Sequence, residues 1–597
     1  MIRARRAPIP PSFGTRRPPA ESLAYLLNYQ ILTRFYSLRQ RSKKTMLAYC
    51  RFRNSFSHRN LLPFRSFSPH RVNSTLIEDP MLYDFLDYME QLKNYERIGV
   101  PKDAGTDSDD GFDLGRMRRL LQRLGNPQSR FKAVHVAGTK GKGSTAAFIS
   151  NILREEGYLV GCYTSPHLLT IRERISLGRS GDPVSAELLR DIFYKIRGII
   201  DQSTEMEGGA LTHFEVFTAL AFALFSEQDV DAAVIEAGLG GARDATNVLC
   251  STGLALSVIT SIGEEHLSAL GGSLESIAMA KSGIIKPGRP VVIGGPLLPH
   301  IEHIIRNKAS SSNSPAVSAC DSGIKSSTKF LGREEENPFQ CCEIRINIKE
   351  DLPLFIDLPD VKLQMLGKHQ LQNAVTATCA VLCLRNEGWR ISDKSIKAGL
   401  EKTCLPGRGQ YLTKKEVETL GLSGVSILVD GAHTEASAKG LIEIIKMGNL
   451  DGPLAFVVSM GTDKDHMAFA MQLLTGRKPD VIILTEAMIA GSRSRTASAS
   501  NLKATWFRAA ENLGMSVLDL GTMEDWKASG FPETFPALIN NNVSQVLLMA
   551  LPNALVGDSM KLAEELLRYR TGKKPHLIVV TGSLHIVSSV LAALHHY

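Results

Sequence analysis

The stretch FKAVHVAGTKGKGSTAAFISNILREEG, residues 131–157, decides the fold. Its first eight residues make a short apolar run that stops at Gly138, the pattern of a buried strand leaving a sheet. TAAFISNILREEG (145–157) then spaces its apolar residues at helical intervals and ends on Gly157, a helix stop. Between strand and helix lies GTKGKG (138–143), with three glycines. Such a loop lets backbone N–H groups close around phosphate oxygens, and the helix N-terminus adds favourable partial charge. Lys142 can reach the β and γ phosphates, and Ser144 or Thr145 can ligate Mg²⁺. The standard Walker spacing is not met. Val136 stands where its first glycine belongs, and Gly143 follows Lys142 where Ser or Thr would.

The same rhythm continues outward. VDAAVIEAG (230–238), LALSVITSIG (254–263) and PVVIGG (290–295) are short strand-like runs stopped by glycine, with helical stretches between them. Repeated βαβ units predict a doubly wound parallel sheet with helices on both faces. A second alternating block comprises VSILVDGAH (425–433), LAFVVSM (454–460), DVIILTEA (480–487), QVLLMALP (545–552) and HLIVVTGS (576–583). It predicts a smaller, Rossmann-like α/β domain. Pro and Gly in LPGRGQYL (405–412) place the joint there, which divides the body into a phosphate-loop domain over 78–405 and a C-terminal domain over 406–597. Residues 306–340 are polar, Ser-rich and aperiodic, and read as a surface insertion.

A chain of 597 residues favours more than one domain. No apolar run approaches the roughly 18 residues of a membrane helix, so no membrane partner is expected. The net charge of +8 is concentrated at one end. Residues 1–77 hold 15 Lys and Arg against one acid, Glu21, leaving 54 basic and 60 acidic residues elsewhere. The basicity therefore belongs to the leader, and no nucleic-acid partner is expected for the body. The leader is Arg-rich, Ser-containing and acid-poor, the composition of a transit peptide. It points to the mitochondrial matrix, with plastid and cytosol as alternatives. Nine cysteines show no CxxC spacing, so zinc and disulfide scaffolds are both disfavoured, and buried thiols in a reducing compartment are expected.

Glu236 ends a strand at a Gly-rich loop, the crevice end of a parallel sheet, where a carboxylate can hold nucleotide Mg²⁺. Asp430 ends another such strand. Lys281 is simply a lysine on a helix face, and His266 alone would read as structural, since imidazole is not a favoured Mg²⁺ ligand.

GTKGKGST resembles the phosphate loop of the Mur ligase family, in its folylpolyglutamate and dihydrofolate synthase branch. The likeness extends through TSPHL (164–168), ERIS (173–176), EAGLGGARDATN (236–247), ITSIGEEHLSALG (259–271), SIAMAKSGIIKPG (276–288), LQNA (371–374), PGR (406–408), DGAH (430–433) and GSLHIV (582–587), in the family's order. It implies the two-domain Mur ligase architecture and ATP-dependent joining of L-glutamate to a pteroate-type carboxylate. Dihydropteroate is the expected acceptor. A polyglutamylating or bifunctional enzyme acting on tetrahydrofolate is the alternative, and an inactive ATP-binding module is the non-enzyme alternative.

The resemblance implies catalytic roles for Lys142, Glu236, His266 and Lys281, the last as a carbamate. It implies nucleotide contacts from Gly138, Thr139, Lys140, Gly141, Lys142, Gly143, Ser144, Thr145, Asn373, Arg408, Asp430 and His433. Ser144, Ser165, Glu236 and His266 are the implied ligands of two Mg²⁺ sites, and a monovalent cation is a further implied cofactor. Pro166, His167, Arg243 and Asp244 are the implied substrate residues, and the chain is expected to act as a monomer. Two departures stand out: ARD replaces the family's RLD at 242–244, and Thr434 replaces the Asn that commonly follows DGAH. The acid of LTHFE (211–215) is similar to enzymes of the first glutamylation step.

Overall fold

The computed structural model describes residues 78–595 apart from 107–111, 335–336, 350–351, 449–451, 489–494, 524, 526–543 and 572–574. The basic leader over 1–77 lies outside the described residues.

Seven strands form the first sheet: β1 (Lys132–Ala137), β2 (Val160–Tyr163), β3 (Ile175–Ser176), β4 (Ala232–Glu236), β5 (Leu254–Ile259), β6 (Val291–Ile293) and β7 (Ala316–Ser318). Their order is β3-β2-β4-β1-β5-β6-β7. All neighbours run parallel except β2 and β3. Every residue of β4 and β5 is buried, because helices cover both faces. On one face the helix Lys142–Glu156 shares a core with the helices Lys368–Asn386 and Asp393–Lys402. On the other lie Tyr83–Gln91, Leu114–Arg123, Ala186–Met206 and His213–Glu227. The chain builds outward from β1 in both directions, so β1, β4 and β5 open a crevice at their C-terminal ends.

Segment 306–340 corrects the expectation of an irregular insertion. The helix Pro299–Ser311 runs into it, and β7 follows as an edge strand with Val317 in the core. Then β8 (Ile324–Glu334) pairs antiparallel with β9 (Asn337–Ile348), which pairs with β10 (Leu354–Leu363). A register shift between Leu358 and Val361 lets Leu354, Ile356, Leu358, Val361 and Leu363 all face the core. Most of β8 is solvent-exposed, so its polar side chains carry no hydrophobic period; its order comes from pairing with β9.

The second sheet holds β11 (Gln410–Tyr411), β12 (Val425–Val429), β13 (Leu454–Val458), β14 (Val481–Thr485), β15 (Val517–Thr522), β16 (Val546–Leu551) and β17 (His576–Thr581). Their order is β11-β12-β17-β13-β14-β16-β15, parallel except for β11. Helices Val556–Thr571 and Leu584–His595 cover one face, and Glu435–Met447, His466–Leu474 and Ala499–Asn512 the other. No described helix is long and apolar enough to cross a membrane. The described cysteines are unpaired; five are buried as expected, but Cys250, Cys320 and Cys404 are exposed.

Candidate functional site

The phosphate loop leaves β1 at Gly138, whose φ of +153° and contact with Thr260 leave no room for a Cβ. Gly141 adopts φ +83° against Asn373 Oδ1, which brings that predicted residue to the loop. Gly141 is also the N-cap of the helix Lys142–Glu156 and supplies no capping side chain. The first-turn N–H groups are therefore left for an anion. The loop is braced from the end of β5: Thr139 N donates to Ser261 O (2.8 Å), Lys140 N to Ser261 Oγ (2.8 Å), and Thr260 Oγ1 to Lys140 O (2.6 Å).

Lys142 Nζ lies 3.7 Å from Glu236 Oε1. Glu236 is buried at the end of β4, and its other oxygen accepts from Ser165 N at 3.3 Å. Burial pushes its carboxyl pKa up, and the Lys142 charge opposes that shift. A Cβ at Gly143 would stand 3.4 Å from Glu236 Oε2, so this carboxylate abuts the loop directly. Ser144 is buried beside it in sequence, and the buried Thr145 Oγ1 has no hydrogen-bond partner. No group of three or more His, Cys, Asp or Glu among the described residues forms an all-protein metal cage. One carboxylate and a loop hydroxyl instead suit Mg²⁺ held mainly by phosphate and water. His266 is exposed, with φ +55°.

Lys281 is buried with only 4% of its surface exposed, and its Nζ donates to Gly138 O at 2.9 Å. Burial first, and then the Lys142 charge, pushes its pKa down to about 7. Asp244 is buried inside its own loop. It accepts from Leu239 N (2.7 Å), Thr246 N (3.0 Å) and Thr246 Oγ1 (2.5 Å), which makes it a brace of the Gly-rich loop. Arg243 Nη1 donates to Phe112 O at 3.3 Å.

The second sheet reaches the same crevice. Asp430 accepts from Gly409 N (2.7 Å) and Ala432 N (2.8 Å), tying the joint to the end of β12. Burial raises its pKa, and the charges of Arg408 and His369 lower it. Arg408 is half-buried, and its charge also acts on Glu236 and Lys140. His433 Nε2 is 3.1 Å from Lys140 Nζ. Pro166 is exposed.

Sequence reasoning missed the partners that hold two of the residues it had singled out, His167 and Glu215. His167 Nδ1 accepts from Arg174 Nε (2.9 Å), and the fully buried Arg174 is held by both oxygens of Glu96. Burial pushes His167 down to about 3, and the Arg174 charge adds to this. Arg174 stands in the quoted ERIS, but nothing local marks Glu96 as its partner. Glu215, the acid of LTHFE, is gripped by Arg116 at 2.9 and 3.1 Å and accepts from Thr212 N and Oγ1 at 2.8 Å. Its carboxylate organises the start of the helix His213–Glu227 and does not point to an open site.

Residues 136–381 match the Mur ligase middle domain. The chain is 35% identical over 364 residues to the dihydrofolate synthase/folylpolyglutamate synthase of Bacillus subtilis (strain 168), which covers 61% of this chain and 78% of that relative. It is 30% identical over 374 residues to the dihydrofolate synthetase of Saccharomyces cerevisiae, covering 62% and 80% respectively. Among solved structures, the folylpolyglutamate synthase of Thermotoga maritima superposes with a TM-score of 0.62 at 26% identity, over 86% of this chain and 96% of that one.

Proposed function

The chain belongs to the Mur ligase family, in its dihydrofolate and folylpolyglutamate synthase branch, and on that footing we propose that it ligates L-glutamate to 7,8-dihydropteroate, converting ATP to ADP and phosphate. The observation that supports the ATP-dependent part of this reading is the open N-terminus of the helix Lys142–Glu156, with Lys142 and the buried Glu236 side by side at its mouth.

A carboxylate resists direct attack by an amine because oxide is a very poor leaving group. Transfer of the ATP γ-phosphoryl to that carboxylate gives an acyl phosphate. The glutamate amine then adds to its carbonyl carbon, and phosphate leaves. Lys142, Arg408 and the free first-turn N–H groups spread the negative charge of the transferring group. Glu236 and Ser144, with Ser165 and His266, would hold Mg²⁺, which when bound neutralises the phosphate oxygens. With its pKa pushed down to about 7, Lys281 presents an uncharged amine for a substantial share of the time near neutral pH. That amine can take up carbon dioxide as a carbamate with loss of a proton, turning a cation into a carboxylate-like group. Approach of the second domain excludes water from the acyl phosphate.

Full-length protein offered ATP, glutamate and either dihydropteroate or tetrahydrofolate tests the acceptor. Turnover with dihydropteroate alone is the expected result. Turnover with tetrahydrofolate alone would reassign the chain to polyglutamylation, and turnover with neither, with Mg²⁺ and bicarbonate present, would leave a nucleotide-binding module. The basic leader supports import into the mitochondrial matrix.

A further inference from the structure

The phosphate loop carries two lysines, and they do different things. Lys142 sits beside Glu236. Lys140 instead forms an ion pair with Glu265, and its Nζ lies 3.1 Å from His433 Nε2. Glu265 Oε1 is in turn 3.8 Å from that same ring nitrogen. The three side chains come from three loops: the phosphate loop after β1, the loop after β5, and the DGAH loop after β12 in the other sheet.

The hydrogen-bonding chemistry of the trio is set by a fourth contact. His433 Nδ1 stands 2.8 Å from Gly431 O, which can only accept, so Nδ1 carries the proton. In the neutral form of the ring Nε2 then bears the lone pair, to which the Lys140 ammonium can donate. The backbone of Lys140 is pinned by Thr260 and Ser261, in the same segment that continues to Glu265. Both members of the Lys140–Glu265 pair are thus mounted on one braced unit, and His433 is the member brought in by the second domain.

We propose that Lys140 and Glu265 are positioning residues: together they latch the DGAH loop onto the phosphate loop and hold His433 in one tautomer at the closed crevice. Lys140 on this view acts chiefly on the second domain and only secondarily on nucleotide. The inference goes beyond the ligase reading and borrows it only for the kinetic part of its test.

The test uses the full chain and the variants Glu265→Gln, Lys140→Met, Lys140→Arg, His433→Gln and the Lys140→Met/His433→Gln double. Glu265→Gln and Lys140→Met should each lower kcat about 10-fold while KM for ATP stays within about 2-fold, and Lys140→Arg should retain most of the activity. The double variant should lose no more than its worse single, because both remove one shared contact. Small-angle scattering with a non-hydrolysable ATP analogue supplies a readout that needs no turnover. The unmodified chain should contract and Glu265→Gln should remain extended. Contraction of the unmodified chain without turnover on any acceptor would sink the ligase reading and leave the latch standing. The latch is overturned by additive losses in the double variant, or by unchanged contraction and turnover in Glu265→Gln. It is equally overturned if Lys140→Met weakens ATP binding in proportion to its loss of kcat, which would make Lys140 a phosphate ligand.

Discussion

Lys281 shows how far a residue's surroundings can depart from its sequence context. SIAMAKSG reads as an ordinary helical lysine, yet the side chain is buried against Gly138 O with its pKa pushed down to about 7 from 10.5. Between those two values the unfolded chain binds more protons than the folded one, so this group makes stability rise with pH across that window. Below about pH 7 both states are protonated and its contribution is flat. In carbon-dioxide-free buffer, the unfolding free energy of the wild type should climb relative to Lys281→Met between pH 7 and 9, by up to about 1.4 kcal/mol per pH unit. Denaturant melts at several pH values measure this, and a constant difference between the two proteins would contradict it. A glycine loop and a strand end mark Lys142 and Glu236 in the sequence, and the structure sets them 3.7 Å apart. Asp244, expected among the substrate residues, is enclosed by Leu239 and Thr246, a placement that depends on how the loop folds back.

Among the elements, the helix Glu435–Met447 explains one departure from the family pattern. Thr434 is its N-cap, accepting from Ser437 N at 3.3 Å, and Ser437 Oγ accepts from Thr434 N at 2.9 Å. Asn and Thr both cap helices, so the exchange at this position preserves a structural job. Thr434→Ala should cost about 1 kcal/mol of stability, while Thr434→Asn should be close to neutral; thermal unfolding of both separates capping from any polar contact with ligand. Strands such as β4, β5 and β16 were legible because continuous apolar runs mark burial on both faces. The β8 hairpin was not. A mostly exposed strand bears Ser, Thr and Lys, and only its partner β9 supplies the hydrogen bonds that make it a strand.

At the scale of the whole molecule, two separate sheets meet around the candidate site. Ser588 Oγ donates to Leu168 O at 2.7 Å, so the helix that follows β17 touches the loop that carries Ser165 and His167. A Cβ on Gly407 would press on Val587 at 2.5 Å, which shows how closely the joint passes the second domain. Nucleotide that bridges both halves should stabilise the fold by mass action, by about 2.7 kcal/mol at 100 times its dissociation constant. The thermal midpoint should therefore rise with MgATP concentration in the wild type and barely move in Lys142→Ala at the same concentrations.

The sequence by itself determined the alternation of strands and helices, the phosphate loop and the family, because periodicity and glycine placement are local and need no partner to be read. The tertiary structure alone decided the pairings: Glu96 with Arg174 across 78 positions, Arg116 with Glu215 across 99, and Lys140 with His433 across 293. A side chain's type says that it can pair. Which partner it finds follows only once burial of the apolar strands and helices has brought distant loops to the same crevice.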